Sequence, residues 1–258
     1  KPNLAHSTQM LDSQPLQGKT ALITGGAARL GAMSARYLHA AGAHVVIHYR
    51  NSATPAEELL QSLLDLRPAS ASLVQGDLLD FAALPALLEQ ALQASGRLDI
   101  LLNNASTYYR TPLDEATEGH WDDLFGINAK APFFLSLAAA AELRQRQGCI
   151  INMVDIHAQR PNKDFPIYSM AKAAKAMMVQ SLAKELAPEI RVNGVAPGAI
   201  LWPEGELGES AKLNTLPRIP LARAGRPEDI AHTVLFLATS DYISGQIIAV
   251  DGGRTTFQ

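Results

Sequence analysis

The stretch "NMVDIHAQRPNKDFPIYSMAK", Asn152 to Lys172, brings three reactive side chains close together along the chain. Tyr168 and Lys172 are four residues apart, so on a helix they share one face. A free phenol titrates at about 10, and a neighbouring ammonium favours its ionised form and draws that value down. Such a tyrosine can serve as general acid or base. Asp155 stands thirteen residues before Tyr168, at the end of the apolar run "CIINMV". Its carboxylate is the odd member of the group, because a tyrosine–lysine pair needs no acid to move a proton.

A second cluster lies near the start. "TGGAARLG", Thr24 to Gly31, follows an apolar run and precedes a helical pattern. In a dinucleotide fold such a turn lets the backbone approach a pyrophosphate, and the helix N-terminus then faces the phosphates. Gly25 and Gly31 meet that need, whereas Arg29 stands where a third glycine is usual. The next apolar run ends in "HYRNSA", His48 to Ala53, with no acid. NAD binders place Asp or Glu there for the ribose 2′-hydroxyl. Arg50, with Asn51 and Ser52, suits a 2′-phosphate that a carboxylate would repel. The expected cofactor is NADPH.

These side chains need elements to hold them. Candidate strands are 20–24, 44–49, 71–75, 98–103, 149–154, 190–196 and 246–251, mostly apolar without alternation, as in strands covered on both faces. Helix-like segments between them include Leu30–Ala41, Ala56–Leu66, Phe81–Ala94 and Pro166–Leu186. Strand and helix in alternation predict an α/β domain of the Rossmann type, a doubly wound parallel sheet of seven strands with helices on both faces. Residues 1–17 have no periodicity and are expected to form a loose arm before a single domain over 18–258. Residues 198–220 are rich in Gly and Pro and read as a long functional loop.

Composition narrows the function. Of 258 residues, 47% are hydrophobic and 18% charged, ordinary for a chain with a substantial core. The net charge is −3 and the basic residues are scattered, so no nucleic-acid partner is expected. Cys149 is the only cysteine. No intrachain disulfide can form, and Cys149 is expected in the core, which fits a reducing compartment. No 18-residue apolar stretch or signal-like start stands out, so no membrane association is expected. The first residue is Lys1 rather than Met, so the native start is expected upstream. The histidines show no ligand spacing, and no metal is expected; His157 reads as a loop residue.

Taken with "NNAS" at 103–106, Asn128 in "GIN", "RVNGVAPG" at 191–198 and "DGG" at 251–253, the chain resembles the short-chain dehydrogenase/reductase family from Gly18 to Gly253. The resemblance implies that Tyr168 donates the proton, that Lys172 binds the nicotinamide ribose and lowers the tyrosine's pKa, and that Asn128 holds a water in the proton relay. It implies cofactor contacts from Gly25, Arg29, Leu30, Gly31, Tyr49, Arg50, Asn51, Ser52, Asp77, Leu78, Asn104, Ala105, Ser106, Lys172, Pro197 and Gly198. It also implies a cytoplasmic homotetramer.

The departures are as telling. Arg29, "HYRNSA", "NNASTYY" and Asp155, where most members carry serine, together resemble the pteridine reductase branch, which reduces biopterin and folate forms. A ketone reductase needs a neutral hydroxyl near the carbonyl, because a carboxylate opposes the developing oxyanion. Reduction of a pterin C=N bond places hydride on carbon and a proton on the ring nitrogen, which a carboxyl group beside Tyr168 can relay. Two groups so close titrate as a pair. The resemblance implies substrate contacts from Arg29, Ser106, Tyr108, Asp155 and Tyr168, with Tyr108 stacking on the pterin; Leu201 and Trp202 are expected to line the pocket. Two other readings stay open: a carbonyl or 3-oxoacyl reductase, and a cofactor-sensing protein without turnover.

Overall fold

The computed structural model describes residues 14–202 and 212–256. Seven parallel strands form one sheet in the order β3-β2-β1-β4-β5-β6-β7. They are β1 (Thr20–Ile23), β2 (His44–Tyr49), β3 (Ala71–Gln75), β4 (Ile100–Asn103), β5 (Cys149–Met153), β6 (Arg191–Pro197) and β7 (Ile247–Val250). Each begins and ends within two residues of its expected bounds. The strand order reverses between β1 and β4, which opens a crevice at the carboxyl ends of the strands.

Side chains alternate across the sheet, and both faces are covered. Ala21, Ile23, Val45, Ile47, Leu102 and Ile151 face one core, shared with α1 (Arg29–Ala40), α2 (Ala53–Leu66) and α7 (Pro227–Thr239). Leu22, Val46, Leu101 and Ile150 face the other, with α3 (Leu84–Ser95), α5 (Ala131–Arg146) and α6 (Pro166–Glu185). Burial on both sides is why the strands read as continuous apolar runs. Truncating a fully buried member such as Leu101 to alanine removes about 2–5 kcal/mol.

Two expectations need correction. Leu16 falls in the predicted loose arm, yet it is fully buried and its N–H donates to Ala41 O at 2.8 Å, so the domain starts before residue 18. The helix Glu118–Arg146, made of α4 (Glu118–Phe125), a π-turn (Gly126–Lys130) and α5, does contain an 18-residue window apolar enough by composition to cross a membrane. Half of that window is buried against the rest of the protein, as in a core helix. Cys149 lies in the core as expected, 2% exposed.

Candidate active site

The glycine turn joins β1 to α1, and its shape is imposed from two neighbouring strands. Gly25 has a φ of +59°, which glycine adopts without penalty. The Asn104 side-chain amide, just past β4, donates to Thr24 O at 2.9 Å and Gly25 O at 3.0 Å. Thr24 Oγ1 accepts the N–H groups of Asn104 and Ala105, both at 3.0 Å. From β2, buried His48 accepts the Gly25 N–H on Nδ1 at 3.1 Å, while Nε2 faces Gly76 O at 3.1 Å. That pairing sets the tautomer: Nε2 carries the proton and donates. Burial pushes the His48 pKa down to about 4, so the ring is neutral near pH 7.

The turn fits a dinucleotide phosphate. No side chain caps the N-terminus of α1, leaving its first N–H groups for an anion. Gly31, in the first turn of α1, packs so closely on Gly25 O and the Asn104 amide that a Cβ would collide with both. Arg29 holds a φ of +52°. A side chain in that conformation costs roughly 1–2 kcal/mol relative to glycine. At the end of β2, Arg50 lies 3.9 Å from Asp77, both about half-exposed, a weak pair that leaves the guanidinium open to a phosphate. Asn51 and Ser52 are exposed beside it, Tyr49 is partly buried and Leu78 is buried. Pro197 ends β6, and Gly198 rests against Asp251 so tightly that a Cβ would clash.

The chemical centre lies across the crevice. Asp155 follows β5 and caps a short 3-10 turn, Ile156–Ala158, accepting the His157 N–H on Oδ1 at 2.8 Å. Its other oxygen, Oδ2, accepts the Tyr168 hydroxyl at 2.7 Å. Tyr168 stands in the first turn of α6 and is 4% exposed. Lys172, one turn on and 1% exposed, donates to Met153 O at 3.1 Å and stands 5.5 Å from the Tyr168 ring centre.

These surroundings reverse one expectation. Tyr168 is held well above the usual phenol range, first by burial and then by the Asp155 charge. Burial likewise brings Lys172 down to about 8, against the attraction of Asp155. Tyr168 therefore holds its proton in these surroundings. Asn128 is tied to the loop after β4. In the π-turn its Oδ1 accepts the Ser106 hydroxyl at 2.6 Å, and its Nδ2 donates to Thr107 O at 3.0 Å. These two bonds fix the orientation of its side chain against that loop.

The first wall of the site is aromatic. Tyr108 is 53% exposed, stacks on Phe165 with centres 4.5 Å apart and planes 6° apart, and meets the Tyr168 ring edge-on at 4.7 Å. Asn162 Nδ2 donates to its hydroxyl at 3.3 Å. Leu201 is exposed and Trp202 partly so. Of the expected substrate loop, 198–220, residues 203–211 lie outside the described residues, and Leu216–Arg218 form a 3-10 turn rather than open loop.

With this geometry in view, the comparisons with known proteins are decisive about the family. Residues 26–255 match the family described as "Enoyl-(Acyl carrier protein) reductase". Pteridine reductase 1 of Leishmania tarentolae is 37% identical over 90% of this chain and 95% of its own. The chain belongs to the short-chain dehydrogenase/reductase family. Other members are nearly as similar: a 3-oxoacyl-(acyl-carrier-protein) reductase of Thermotoga maritima is 35% identical over 92% of this chain and 98% of its own. The 3beta-hydroxysteroid dehydrogenase 1 of Eggerthella lenta is 33% identical over 94% and 95%. The protein is thus an oxidoreductase of this family, whose members use a nicotinamide cofactor.

Sequence reasoning passed over several residues that shape this short-chain reductase site. Phe165 was hidden because stacking on Tyr108 joins positions 57 residues apart, a pairing with no local signal. His48 looked like one more residue of an apolar strand. Lys175 is fully buried, with Nζ donating to Asn103 O at 3.0 Å, and burial holds its pKa well below the usual lysine range. Its three-residue spacing from Lys172 was the available signal.

Proposed function

We propose that the protein is an NADPH-dependent pteridine reductase, which reduces a C=N bond of a dihydropterin or dihydrofolate to the tetrahydro form. The contact of the Tyr168 hydroxyl with Asp155 at 2.7 Å carries this reading. A reduced nicotinamide, when bound, supplies the hydride. The protein's own part is the proton and the orientation of the ring. Tyr168, kept protonated by burial and by Asp155, is the group able to give a proton toward a ring nitrogen. Asp155 can take up a proton from solvent and pass it to Tyr168, or accept the N–H groups of a pterin. The N–H of His157 holds its other oxygen in place. The exposed ring of Tyr108 offers a flat surface beside this pair, and Ser106 and Arg29 are assigned to substrate and cofactor alike. Arg50 supports NADPH over NADH.

A second reading, 3-oxoacyl reduction, is supported by the near-equal identity to the Thermotoga protein. A panel of dihydrobiopterin, dihydrofolate, biopterin, an acetoacetyl thioester and simple ketones, each with NADPH, separates the two. Turnover of the thioester or ketones with no pterin reduction would overturn the leading reading. Asp155→Ser is expected to lower pterin kcat/KM by about 100-fold or more, the scale of a lost proton-transfer group. Intact pterin reduction in that variant would remove the carboxylate from the mechanism.

A cytoplasmic homotetramer belongs to the same proposal. In its support, Phe133, Phe134 and Leu137 of α5 and Met170 and Met177 of α6 are exposed apolar side chains. Sedimentation of the purified protein tests it.

A further inference from the structure

Arg254 has no part in any role assigned above. It opens the 3-10 turn Arg254–Thr256, just past β7. Asp251 holds that turn, its two carboxylate oxygens accepting the N–H groups of Gly253 and Thr255 at 2.9 and 2.7 Å. The turn is also fastened to the segment that follows the substrate loop: Leu221 N–H donates to Gly252 O at 3.1 Å, and a Cβ on Gly253 would meet the Pro220 ring. On the other side, Asp251 presses on Gly198 at the end of β6. The backbone of Arg254 is therefore fixed at the carboxyl edge of the sheet, the edge at which β5 delivers Asp155.

Its side chain is the opposite case. It is half-buried, and among the described residues no hydrogen bond or ion pair reaches its guanidinium. The charges and polar groups within its electrostatic range are Asp155 and Tyr108 of the active site, Asp251 of its own turn, and Arg218 on the turn Leu216–Arg218. Asp155 and Asp251 favour its charge and Arg218 opposes it, but a half-buried guanidinium with no hydrogen-bond partner among the described residues is costly until a ligand supplies one. Asp155 is already committed to Tyr168 and His157. A guanidinium stays charged across the working pH range and cannot join the proton chemistry, but its planar fork matches a carboxylate with two hydrogen bonds.

We propose that Arg254, with Arg218 near it, is a specificity-determining residue that receives a carboxylate on the substrate's side chain. The site then takes folate-type dihydropterins, whose aminobenzoyl-glutamate tail is anionic, in preference to pterins with an uncharged side chain. The inference rests on the pteridine reductase reading and names the substrate class of that same site. The aromatic wall and Asp155 engage the ring that all pterins share; Arg254, on the same carboxyl edge of the sheet and within electrostatic range of Asp155 and Tyr108, is placed to read what the ring carries.

Steady-state kinetics with dihydrofolate and dihydrobiopterin test it, on the wild-type protein and on Arg254→Ala and Arg254→Lys. The alanine variant should raise KM for dihydrofolate by ~10- to 100-fold, the size of a lost hydrogen bond between charged groups. Its kcat, and its KM for dihydrobiopterin, should stay near wild type. Lysine should recover part of the loss. Added salt should weaken dihydrofolate binding to the wild-type protein and leave dihydrobiopterin unaffected. An equal loss on both substrates would mean that Arg254 acts through Asp155 and would overturn the proposal, as would no change on either. If the alanine variant does not fold, Arg254→Gln carries the same comparison. A wild-type protein that reduces the thioester but neither pterin removes the function itself, and the inference with it. Reduction of both pterins with no selective effect of Arg254 removes the inference alone.

Discussion

The two ends of the crevice are built on opposite plans. At the phosphate turn, Thr24, His48 and Asn104 spend their side chains on main-chain groups. At the chemical centre, Lys172, Asn128 and Asp155 also bond main-chain groups, but side chain meets side chain as well: Tyr168 on Asp155, Ser106 on Asn128, Tyr108 on Phe165 and on Tyr168. The first plan holds a backbone still and leaves its free N–H groups where an anion can use them. The second keeps groups that titrate in mutual contact, so that burial and charge set which of them holds a proton. Substitution at the first end should change affinity and stability, and substitution at the second should change rate.

The sharpest way to break this contrast is Tyr168→Phe. Loss of the proton donor should lower kcat by ~100- to 10,000-fold, while cofactor affinity, read by fluorescence titration of NADPH, stays close to wild type. A large loss of NADPH binding would show that the chemical centre is also a positioning device.

His48 tests the other end through pH. Its folded-state pKa is lowered from 6.5 to about 4, so between those values the unfolded chain binds a proton more readily. The stability it contributes is complete above pH 6.5 and is lost as pH falls toward 4, by about 3 kcal/mol at most. His48→Asn should flatten that part of the urea-denaturation profile. His39 and His44 are also shifted down by burial, so the comparison is the difference between variant and wild type. An unchanged slope would remove His48 from the support of the turn.

Arg50→Ala should have the smallest effect, a ~10- to 100-fold loss of preference for NADPH over NADH, measured as the ratio of kcat/KM. Little change in kcat with NADPH at saturation is expected. A retained preference would shift 2′-phosphate recognition to another residue, with Arg29 the next to test.

Much of this protein was legible along the chain. The strands appear as apolar runs because both faces of the sheet are covered, and the helices between them show their own period. Tyr168 and Lys172 share a face through helix geometry alone, and the glycine turn is recognisable by its place after β1. The chain also carried the unusual acid, Asp155, and the basic end of β2, the two departures on which the proposal of a pterin substrate and NADPH rests. Such features depend on neighbours within a few residues, and periodicity records them.

Tertiary structure decided what depends on burial and on distant partners. Leu16 joined the core because Ala41 and the α1 face come to it. Tyr168 is held above the usual phenol range because it is desolvated and its hydroxyl meets a carboxylate at 2.7 Å. Phe165 reached Tyr108, and Arg254 came into range of Asp155, across separations that no local pattern encodes. Sequence determined which groups are present and which face each occupies. Packing decided which of them lose water and meet one another, and so which of them keep their protons.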